Sequence, residues 1–368
     1  MSKRRFGVGI VGLQPGRSWS AIAHIPALRS LPNYYDIVGV ANTSSRSAAA
    51  AAAALQIPVA FANAAELISH PDVDIVAVTV KVPHHYEIVS AAIAAGKMVY
   101  CEWPLGNGLA EAEDLANLAR AKRVPCVVGT QARAAPEMEY LRQLIAEGFV
   151  GEVLSSTLIG SGMAWGATVE RRNAYLLDRA NGATMLSIPV AHTMAGVCDV
   201  LGPIVQLSAR LLSRRTSATI TGSDEKAAMT AQDQVLVSGL FKSGAPIAIH
   251  YRGGSPHGIG LAWEIHGTEG DIQVLGKNGH AQMVQLSLSG ANGKMQALQP
   301  IDVPASYYAG WPDTAIVRNV SRMYARMAAD LQYGTRTAPT FDDAVALHGF
   351  IAAVEMAAET GLSISLES

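Results

Sequence analysis

Two residues, His192 and Lys81, carry side chains that can move protons and stand at unusual positions in the sequence. His192 lies in an apolar stretch, and the ordinary pKa of imidazole suits general acid–base catalysis. Lys81 directly follows the apolar run Asp74–Val80, where desolvation would lower the pKa of an ammonium group. The two residues therefore indicate general acid–base chemistry. A core histidine and an exposed loop lysine are the alternatives.

Aromatic and polar side chains stand where they could accompany His192. Tyr175 and Asp178 precede it and could orient a polyol or position the imidazole. Trp103 and Trp165 predict a stacking floor that suits a sugar ring or an aromatic molecule equally. A packing role is the alternative for Trp165.

A glycine-containing turn, Gly9-Ile-Val-Gly12-Leu-Gln-Pro-Gly16, follows the first predicted strand and precedes a helix. Glycines at such a turn let backbone N–H groups and the helix N-terminus approach a pyrophosphate. Gln14 stands where the second glycine of a GxGxxG motif belongs, so a plain tight turn is the alternative. The position at the first βα turn of an alternating pattern favours a dinucleotide site.

The end of the second predicted strand bears on which dinucleotide binds. An acidic residue there would hold the ribose hydroxyls of NAD, whereas this chain has the neutral Asn42. Arg46, preceded by Ser44 and Ser45, could receive the 2′-phosphate of NADP, and an exposed residue at a helix start is the alternative. NADP is therefore slightly favoured over NAD.

The first 130 residues alternate short apolar runs with alanine-rich helical stretches. The predicted strands are Phe6–Leu13, Asp36–Ala41, Asp74–Val80, Met98–Cys101 and Pro125–Gly129, and the predicted helices are 21–31, 46–55, 62–69, 84–95 and 109–122. Continuously apolar strands separated by helices predict a parallel sheet covered on both faces. The pattern predicts an α/β protein that begins with a doubly wound Rossmann domain over residues 1–130.

The second predicted domain, residues 131–368, alternates apolar and polar residues instead. Its predicted strands are Val153–Gly160, Ile204–Leu212, Gln234–Lys242, Ala245–Tyr251, Leu261–Gly267, Ile272–Leu275 and Gln282–Ser289. This alternation predicts an α+β domain with a large open, mainly antiparallel sheet. One face of the sheet is expected to be exposed to solvent or covered by a partner. A late helix is predicted to begin at Thr340, with Asp343 as a capping residue, and to end at Gly361.

Composition narrows the class of protein. The chain has 368 residues, 49% hydrophobic and 16% charged, with a formal net charge of −2, which suits a protein with a large core and disfavours direct nucleic-acid binding. The three cysteines show no metal-ligand spacing, and no metal site is predicted. The N-terminus lacks a signal-type apolar core, and no apolar stretch was expected to reach the length of about 18 residues that spans a bilayer. We therefore expect a cytoplasmic protein with no membrane contact.

Several motifs together resemble the glucose–fructose oxidoreductase, inositol dehydrogenase and MocA family. They are Ala95-Gly96-Lys97-Met98-Val99-Tyr100-Cys101-Glu102-Trp103-Pro104, Gln131-Ala132-Arg133, Gly148-x-x-Gly151-Glu152 and His266-Gly267-Thr268-Glu269-Gly270. The resemblance covers nearly the whole chain and implies an open sheet that often forms a dimer face. It implies cofactor contacts at Gly9, Gly12, Leu13, Gly16, Arg17, Ser18, Trp19, Asn42, Ser44, Arg46, Val80, Lys81, His85, Glu102, Trp103 and Gln131.

Within that family the chain resembles the branch of the galactose-regulon repressor and its bacterial relatives. The residues that carry this likeness are Gly12-Leu13, Arg17-Ser18-Trp19, His24-x-Pro26-Ala27, Glu102-Trp103, Tyr175-x-x-Asp178, His192-Thr193 and Gly253-Gly254. That repressor binds a dinucleotide but is a regulator. The catalytic pattern of the family is altered here, because Trp103 replaces its usual lysine and Ile188 replaces an acidic residue four positions before His192.

Two functions follow from these resemblances. The first is an NAD(P)-dependent oxidoreductase that acts on a sugar-like or cyclic alcohol, with His192 and Lys81 as catalytic candidates and Tyr175, Asp178, Trp103 and Trp165 around the substrate. The second is a regulator that binds a dinucleotide and has lost catalysis. In either case we expect a homodimer or homotetramer formed through the second-domain sheet.

Overall fold

The computed structural model describes residues 5–366. The chain forms two compact units, which are described separately. The first unit comprises the chain up to Gln131 together with Gly310–Ala346, and the second comprises Ala132–Ala309 and the chain from Leu347 onward.

The first unit contains a six-stranded parallel sheet. Its strands are β1 (Phe6–Val11), β2 (Tyr35–Ala41), β3 (Val59–Phe61), β4 (Ile75–Val78), β5 (Met98–Glu102) and β6 (Cys126–Gly129), in the order β3-β2-β1-β4-β5-β6. The predicted doubly wound sheet is confirmed. Sequence analysis missed β3, since it has three residues and only Phe61 is buried.

Helices connect these strands close to the predicted positions. They are α1 (Ile25–Arg29), preceded by a π-helical turn Ser20–His24, α2 (Ser45–Leu55), α3 (Ala64–Ser69), α4 (His85–Ala94) and α5 (Leu109–Lys122). The unit also contains α8 (Ala315–Tyr333), which comes late in the chain and connects none of these strands. Ala48 and Ala51 of the alanine run are fully buried, so small side chains let α2 pack tightly. The long helix α8 was not predicted.

The second unit is built on a nine-stranded sheet in the order β17-β16-β15-β14-β7-β13-β12-β9-β18. These strands are β7 (Val153–Ser161), β9 (Ile204–Leu212), β12 (Gln234–Phe241), β13 (Pro246–Arg252), β14 (Leu261–Gly267), β15 (Gly270–Gly276), β16 (Ser287–Asn292), β17 (Gln299–Ile301) and β18 (Ile364–Ser365). The prediction of a large, mainly antiparallel sheet is confirmed, with β7 and β13 running parallel. The strand predicted to begin at Gln282 begins at Ser287, because residues 280–285 form a turn.

The remaining elements are a small sheet and three helices. The sheet contains β8 (Thr168–Val169), β10 (Ser217–Ile220) and β11 (Lys226–Ala228), and the helices are α6 (Pro136–Ala146), α7 (Ala191–Leu201) and α9 (Phe341–Thr360). The segment Arg179–Leu201 is long and apolar enough to cross a membrane, contrary to the expectation from sequence. However, 72% of its most apolar window is buried inside the protein, as in the core helix of a soluble domain.

Candidate functional site

The predicted phosphate loop begins at Gly12, directly after β1. Gly12 has a φ of +95°, and a Cβ atom there would lie 2.7 Å from Cγ1 of Val80. Its carbonyl accepts hydrogen bonds from the hydroxyls of Thr79, at 2.7 Å, and Ser20, at 2.6 Å. A side chain at position 12 would therefore fill the cradle between β1 and the segment after β4, which fits a site for a dinucleotide.

The rest of the loop is held by side chains rather than by further glycines. Ser18 Oγ accepts a hydrogen bond from the Gln14 amide at 2.8 Å and donates one to the Gln14 carbonyl at 3.0 Å. Gly16 has a φ of +68° with open space where a Cβ would be, and Arg17 beside it is exposed. The Nε1 of Trp19 is buried and has no hydrogen-bond partner among the described residues. The loop is thus ordered by Ser18 and presents Arg17 at its tip.

Gly9 has a different role from Gly12. It lies inside β1, where an added Cβ would be 2.6 Å from Cδ2 of Leu67. Its glycine is therefore explained by the close packing of α3 on the sheet. The packing of α3 against β1 is enough to require glycine at position 9, without any contact to a cofactor.

The polar residues after β2 are arranged around the same loop. Asn42 makes two hydrogen bonds with the backbone of Leu13. Its Oδ1 accepts from the Leu13 amide at 2.8 Å, and its Nδ2 donates to the Leu13 carbonyl at 2.9 Å. Ser44 caps α2 by accepting a hydrogen bond from the Ser47 amide at 3.2 Å. Arg46 is exposed in the first turn of α2. Of this group, Arg46 presents the charged side chain available to a 2′-phosphate.

Lys81 is exposed, just after β4. A desolvated lysine base would have to be buried at the end of its strand, so the prediction of Lys81 as such a base is wrong. The strand ends at Val78, and Lys81 lies three residues beyond it, at the start of a short helical turn. His85 is buried instead, with Nδ1 2.8 Å from the Pro104 carbonyl and Nε2 3.0 Å from the Val80 carbonyl. Burial lowers the pKa of His85.

The Glu102-Trp103-Pro104 segment follows β5 and is buried. Glu102 Oε1 accepts hydrogen bonds from Gln131 Nε2 at 2.7 Å and from His24 Nε2 at 2.8 Å. Trp103 is 5% exposed, and the Trp103–Pro104 peptide bond is cis. Glu102 is therefore the acceptor at the centre of a buried polar cluster, and Trp103 is buried next to it in sequence.

Sequence reasoning missed the other end of that cluster. His24 Nδ1 lies 2.8 Å from the hydroxyl of Tyr324, which is on α8, and the Tyr100 and Tyr324 rings stack with centroids 4.5 Å apart. The His24-x-Pro26 motif had been noted only for its likeness to a family branch. Tyr324 lies about 300 residues from His24 along the chain, and no local pattern connects the two.

In the second unit, His192 lies in the first turn of α7 and is 4% exposed. Its Nδ1 has no hydrogen-bond partner among the described residues. Burial, with a smaller contribution from His280, lowers the pKa of His192 to about 3. The imidazole is therefore neutral at neutral pH and can act as a hydrogen-bond or proton acceptor.

His280 and Tyr251 are the residues near His192 that sequence reasoning did not find. His280 is buried and its pKa is lowered by burial. The Tyr251 hydroxyl donates to Thr193 Oγ1 at 2.9 Å. Buried polar residues on a strand and in a turn carried no motif signal, although a histidine in the Asn278-Gly279-His280 turn could have been singled out by residue type.

Three predicted substrate residues in the same unit have other structural roles. Trp165 is 1% exposed and its Nε1 donates to the Leu176 carbonyl at 2.8 Å, so it packs in the core and does not offer a stacking surface. Asp178 is exposed and caps a turn by accepting a hydrogen bond from the Ala180 amide at 3.1 Å. Tyr175 is half-buried, and burial raises the pKa of its phenol. Trp165 as a stacking floor is therefore wrong.

Protein-family models match a segment of each unit. Residues 6–130 match the oxidoreductase family with an NAD-binding Rossmann fold. Residues 136–276 match the C-terminal domain of Gal80p.

Relatives of both kinds extend over the whole chain. Dehydrogenase aclE of Aspergillus oryzae is 28% identical over 375 residues, covering 98% of each chain. The transcriptional regulator Gal80p from Kluyveromyces lactis has a TM-score of 0.87 at 25% identity, covering 99% of this chain and 95% of that one. Levoglucosan dehydrogenase in complex with NADH and levoglucosan has a TM-score of 0.85 at 20% identity, covering 99% of this chain and 100% of that one, which shows a shared fold. Residues 6–130 thus match the Rossmann domain of the glucose–fructose oxidoreductase, inositol dehydrogenase and MocA family, and residues 136–276 match a domain like the C-terminal domain of Gal80p.

Proposed function

We propose that the protein is an NAD(P)-dependent oxidoreductase that transfers a hydride between nicotinamide and a sugar-like or cyclic alcohol or ketone. The observation that carries this proposal is the state of His192. It is a buried, unprotonated imidazole whose Nδ1 has no hydrogen-bond partner among the described residues. A nitrogen in that state can accept the proton of a substrate hydroxyl.

The low basicity of His192 is compatible with this role. Alcohol oxidation breaks the C–H and O–H bonds of one carbinol group, and the nicotinamide ring supplies the hydride acceptor. As the hydride leaves carbon, the hydroxyl becomes much more acidic, because its oxygen is turning into a protonated carbonyl. His192 then takes the proton at the stage when even a weak base suffices.

Trp103 explains why this role must fall to another residue. Indole does not exchange protons near neutral pH, and Trp103 is buried in the position where the family has lysine. Lys81 is exposed, so we do not assign it the role of a desolvated base. The proposal therefore places proton transfer on His192 alone among the candidates.

The cofactor would be held by the loop that begins at Gly12. A Cβ at Gly12 would collide with Val80, so glycine keeps the backbone open to the approach of a pyrophosphate, and Arg17 and Arg46 are exposed cations nearby in sequence. We favour NADP slightly over NAD. Asn42 stands where an acidic residue would hold the ribose hydroxyls of NAD, and an arginine can pair with the 2′-phosphate of NADP.

A regulator that binds a dinucleotide is the second candidate. Trp103 and Ile188 replace two of the three proton-handling groups of the family, and the second unit matches the C-terminal domain of Gal80p. The distinguishing experiment titrates the purified protein with NADH and NADPH and then offers a panel of sugars and cyclic alcohols. Dinucleotide binding with turnover supports the enzyme, whereas binding without turnover across the panel supports the regulator.

We further propose that the partner on the nine-stranded sheet is a second copy of this chain. The outer face carries the exposed leucines Leu212, Leu236, Leu240 and Leu275, which are 37–46% exposed. It also carries Arg210 and His250 on β9 and β13, and Glu264 and Asp271 on β14 and β15. His266 on β14 lies between the two carboxylates, 2.8 Å from Asp271. A face that combines exposed leucines with charged groups of both signs can pair with itself about a twofold axis.

A further inference from the structure

The carboxylate of Glu102 lies between a buried imidazole and an accessible surface. Its Oε1 accepts hydrogen bonds from Gln131 Nε2 at 2.7 Å and from His24 Nε2 at 2.8 Å, and its Oε2 accepts from Gln131 at 3.0 Å. A carboxylate offers about four acceptor sites, so these contacts leave room for one more donor. The Glu102 side chain is 11% exposed, whereas that of His24 is fully buried. A further donor can therefore reach Glu102 from the exposed side.

Glu102 and Gln131 lie where the parallel sheet of the first unit would receive a ligand. Glu102 ends β5 and Gln131 follows β6, so both are at the carboxyl edge of the sheet. In a doubly wound sheet a dinucleotide binds across this edge, and each half of the sheet receives one mononucleotide. The phosphate loop follows β1, and the neighbouring half consists of β4, β5 and β6. Glu102 therefore belongs to the half that would receive the nicotinamide nucleotide.

The ring of His24 is held in one orientation by two tyrosines. Its Nδ1 lies 2.8 Å from the Tyr324 hydroxyl, and the ring packs edge-on against Tyr100 and Tyr324 with centroids 5.3 and 5.7 Å away. Tyr324 is itself fixed, because its ring stacks on Tyr100 and its carbonyl accepts from the Tyr35 hydroxyl at 2.6 Å. A carboxylate only accepts, so Nε2 of His24 carries the proton in the contact with Glu102. His24 thus presents one oriented donor to Glu102.

We infer that His24 is a positioning residue that fixes the Glu102 carboxylate to accept a hydrogen bond from the nicotinamide nucleotide of a bound dinucleotide. This inference rests on the dinucleotide site proposed above and applies equally to an enzyme and to a regulator. The terminal torsion of glutamate has a broad energy well, so without the His24 donor the carboxylate could rotate away from the ligand. His24 therefore raises affinity by ordering Glu102 before the ligand arrives.

Two substitutions at position 24 separate the roles of the two ring nitrogens. The amide of glutamine can place a donor where Nε2 lies, so His24→Gln keeps the contact with Glu102. The shorter asparagine reaches only the place of Nδ1, so His24→Asn keeps Tyr324 as a partner and loses Glu102. Tyr324→Phe keeps the stacked ring and removes the hydroxyl that holds His24. Tyr35→Phe is the matched control, because it removes a buried phenol hydroxyl from the same cluster and no hydrogen bond of His24.

The measurement is the Kd for NADH or NADPH, whichever the parent binds more tightly. It is compared with the Kd, by competition, for the fragment that lacks the nicotinamide nucleotide, 5′-ADP for NADH or 2′,5′-ADP for NADPH. His24→Asn should lose about tenfold in affinity for the dinucleotide and none for the fragment, because the fragment does not reach Glu102. His24→Gln should recover most of that loss, Tyr324→Phe should show a smaller loss, and Tyr35→Phe should match the parent.

Thermal unfolding first shows which variants are folded, and Tyr324→Phe against Tyr35→Phe decides the matter if His24→Asn is not. Equal losses for dinucleotide and fragment would overturn the inference, because they would show that His24 serves only the fold around the phosphate loop. Unchanged affinities in the folded His24→Asn and Tyr324→Phe variants would overturn it as well, and the dinucleotide site would stand. A parent that binds neither NADH nor NADPH would overturn the site itself and the inference with it.

Discussion

Asn42 and Leu13 exchange two hydrogen bonds, so the side chain that ends β2 holds the phosphate loop in place. Oδ1 accepts from the Leu13 amide at 2.8 Å and Nδ2 donates to the Leu13 carbonyl at 2.9 Å. The residue at the position that distinguishes NAD from NADP is therefore engaged by the protein itself. We propose that Arg46, which is exposed at the start of α2, is the residue that contacts a 2′-phosphate.

Replacing Arg46 should separate the two cofactors. Arg46→Ala removes a cation that can pair with a 2′-phosphate, so the Kd for NADPH should rise about tenfold while the Kd for NADH changes little. Fluorescence titration with each nucleotide measures both values. Equal losses for NADH and NADPH, or no loss for either, would show that Arg46 does not read the 2′-phosphate.

A side chain at Gly12 should abolish nucleotide binding. Gly12→Val forces a non-glycine residue to φ +95° and places its Cβ 2.7 Å from Cγ1 of Val80, in the space that a pyrophosphate would approach. Gly96→Asn is the control, because Gly96 has a φ of +74° and open space around its Cβ position. Normal NAD(P)H titration in a folded Gly12→Val variant would remove the site assignment.

The neutral state of His192 should weaken the protein in acid. Its pKa is about 3 in the folded chain and about 6.5 when unfolded, so below pH 6.5 the unfolded chain binds a proton that the folded one does not. The free energy of unfolding then falls as pH decreases, by at most about 1.4 kcal/mol per pH unit for this group. Urea denaturation of His192→Gln between pH 6.5 and 5 should show a shallower pH slope than the parent. The same slope in both proteins, with His257→Gln as the exposed-histidine control, would contradict the neutral state.

The open sheet should carry the contact between copies. Ala248 is exposed on β13 at the middle of the face, and Ala248→Arg adds a long charged side chain there. Ala110→Arg makes the same chemical change on the exposed surface of α5. Sedimentation velocity should show a dimer or tetramer for the parent and for Ala110→Arg, and monomers for Ala248→Arg. A parent that stays monomeric at all concentrations would contradict the proposal.

Sequence periodicity predicted the two sheets well because their signals are local. Buried parallel strands read as apolar runs and the second-unit strands as alternation, so β1 and β12 were located within two residues of their ends. α8 was missed although it supplies Tyr324 to the cluster around His24. Its buried residues Val320, Met323, Tyr324 and Met327 recur at helical spacing, so the helix itself had a local signal. Its place in the first unit is a long-range relationship, which no local pattern displays.

Residue type predicted the site correctly where the backbone conformation requires a particular residue. It failed where the role of a side chain depends on whether that side chain is buried. Gly12 was recognised from its place after a strand, and its φ confirms the need for glycine. Trp165 and Lys81 were assigned as substrate and base residues by chemistry, but one is in the core and the other is exposed. Burial depends on tertiary packing, which a single sequence does not display.

The central claim is that this chain catalyses hydride transfer with His192 as the proton acceptor. The most direct test is single-turnover reduction of bound NAD(P) by a panel of sugars and cyclic alcohols, in the parent, His192→Asn and Lys81→Met. We expect turnover in the parent, a loss of about a hundred- to ten-thousand-fold in His192→Asn with dinucleotide affinity retained, and near-parental turnover in Lys81→Met. A parent that binds NAD(P)H but reduces none with any alcohol, or undiminished turnover in His192→Asn, would contradict it.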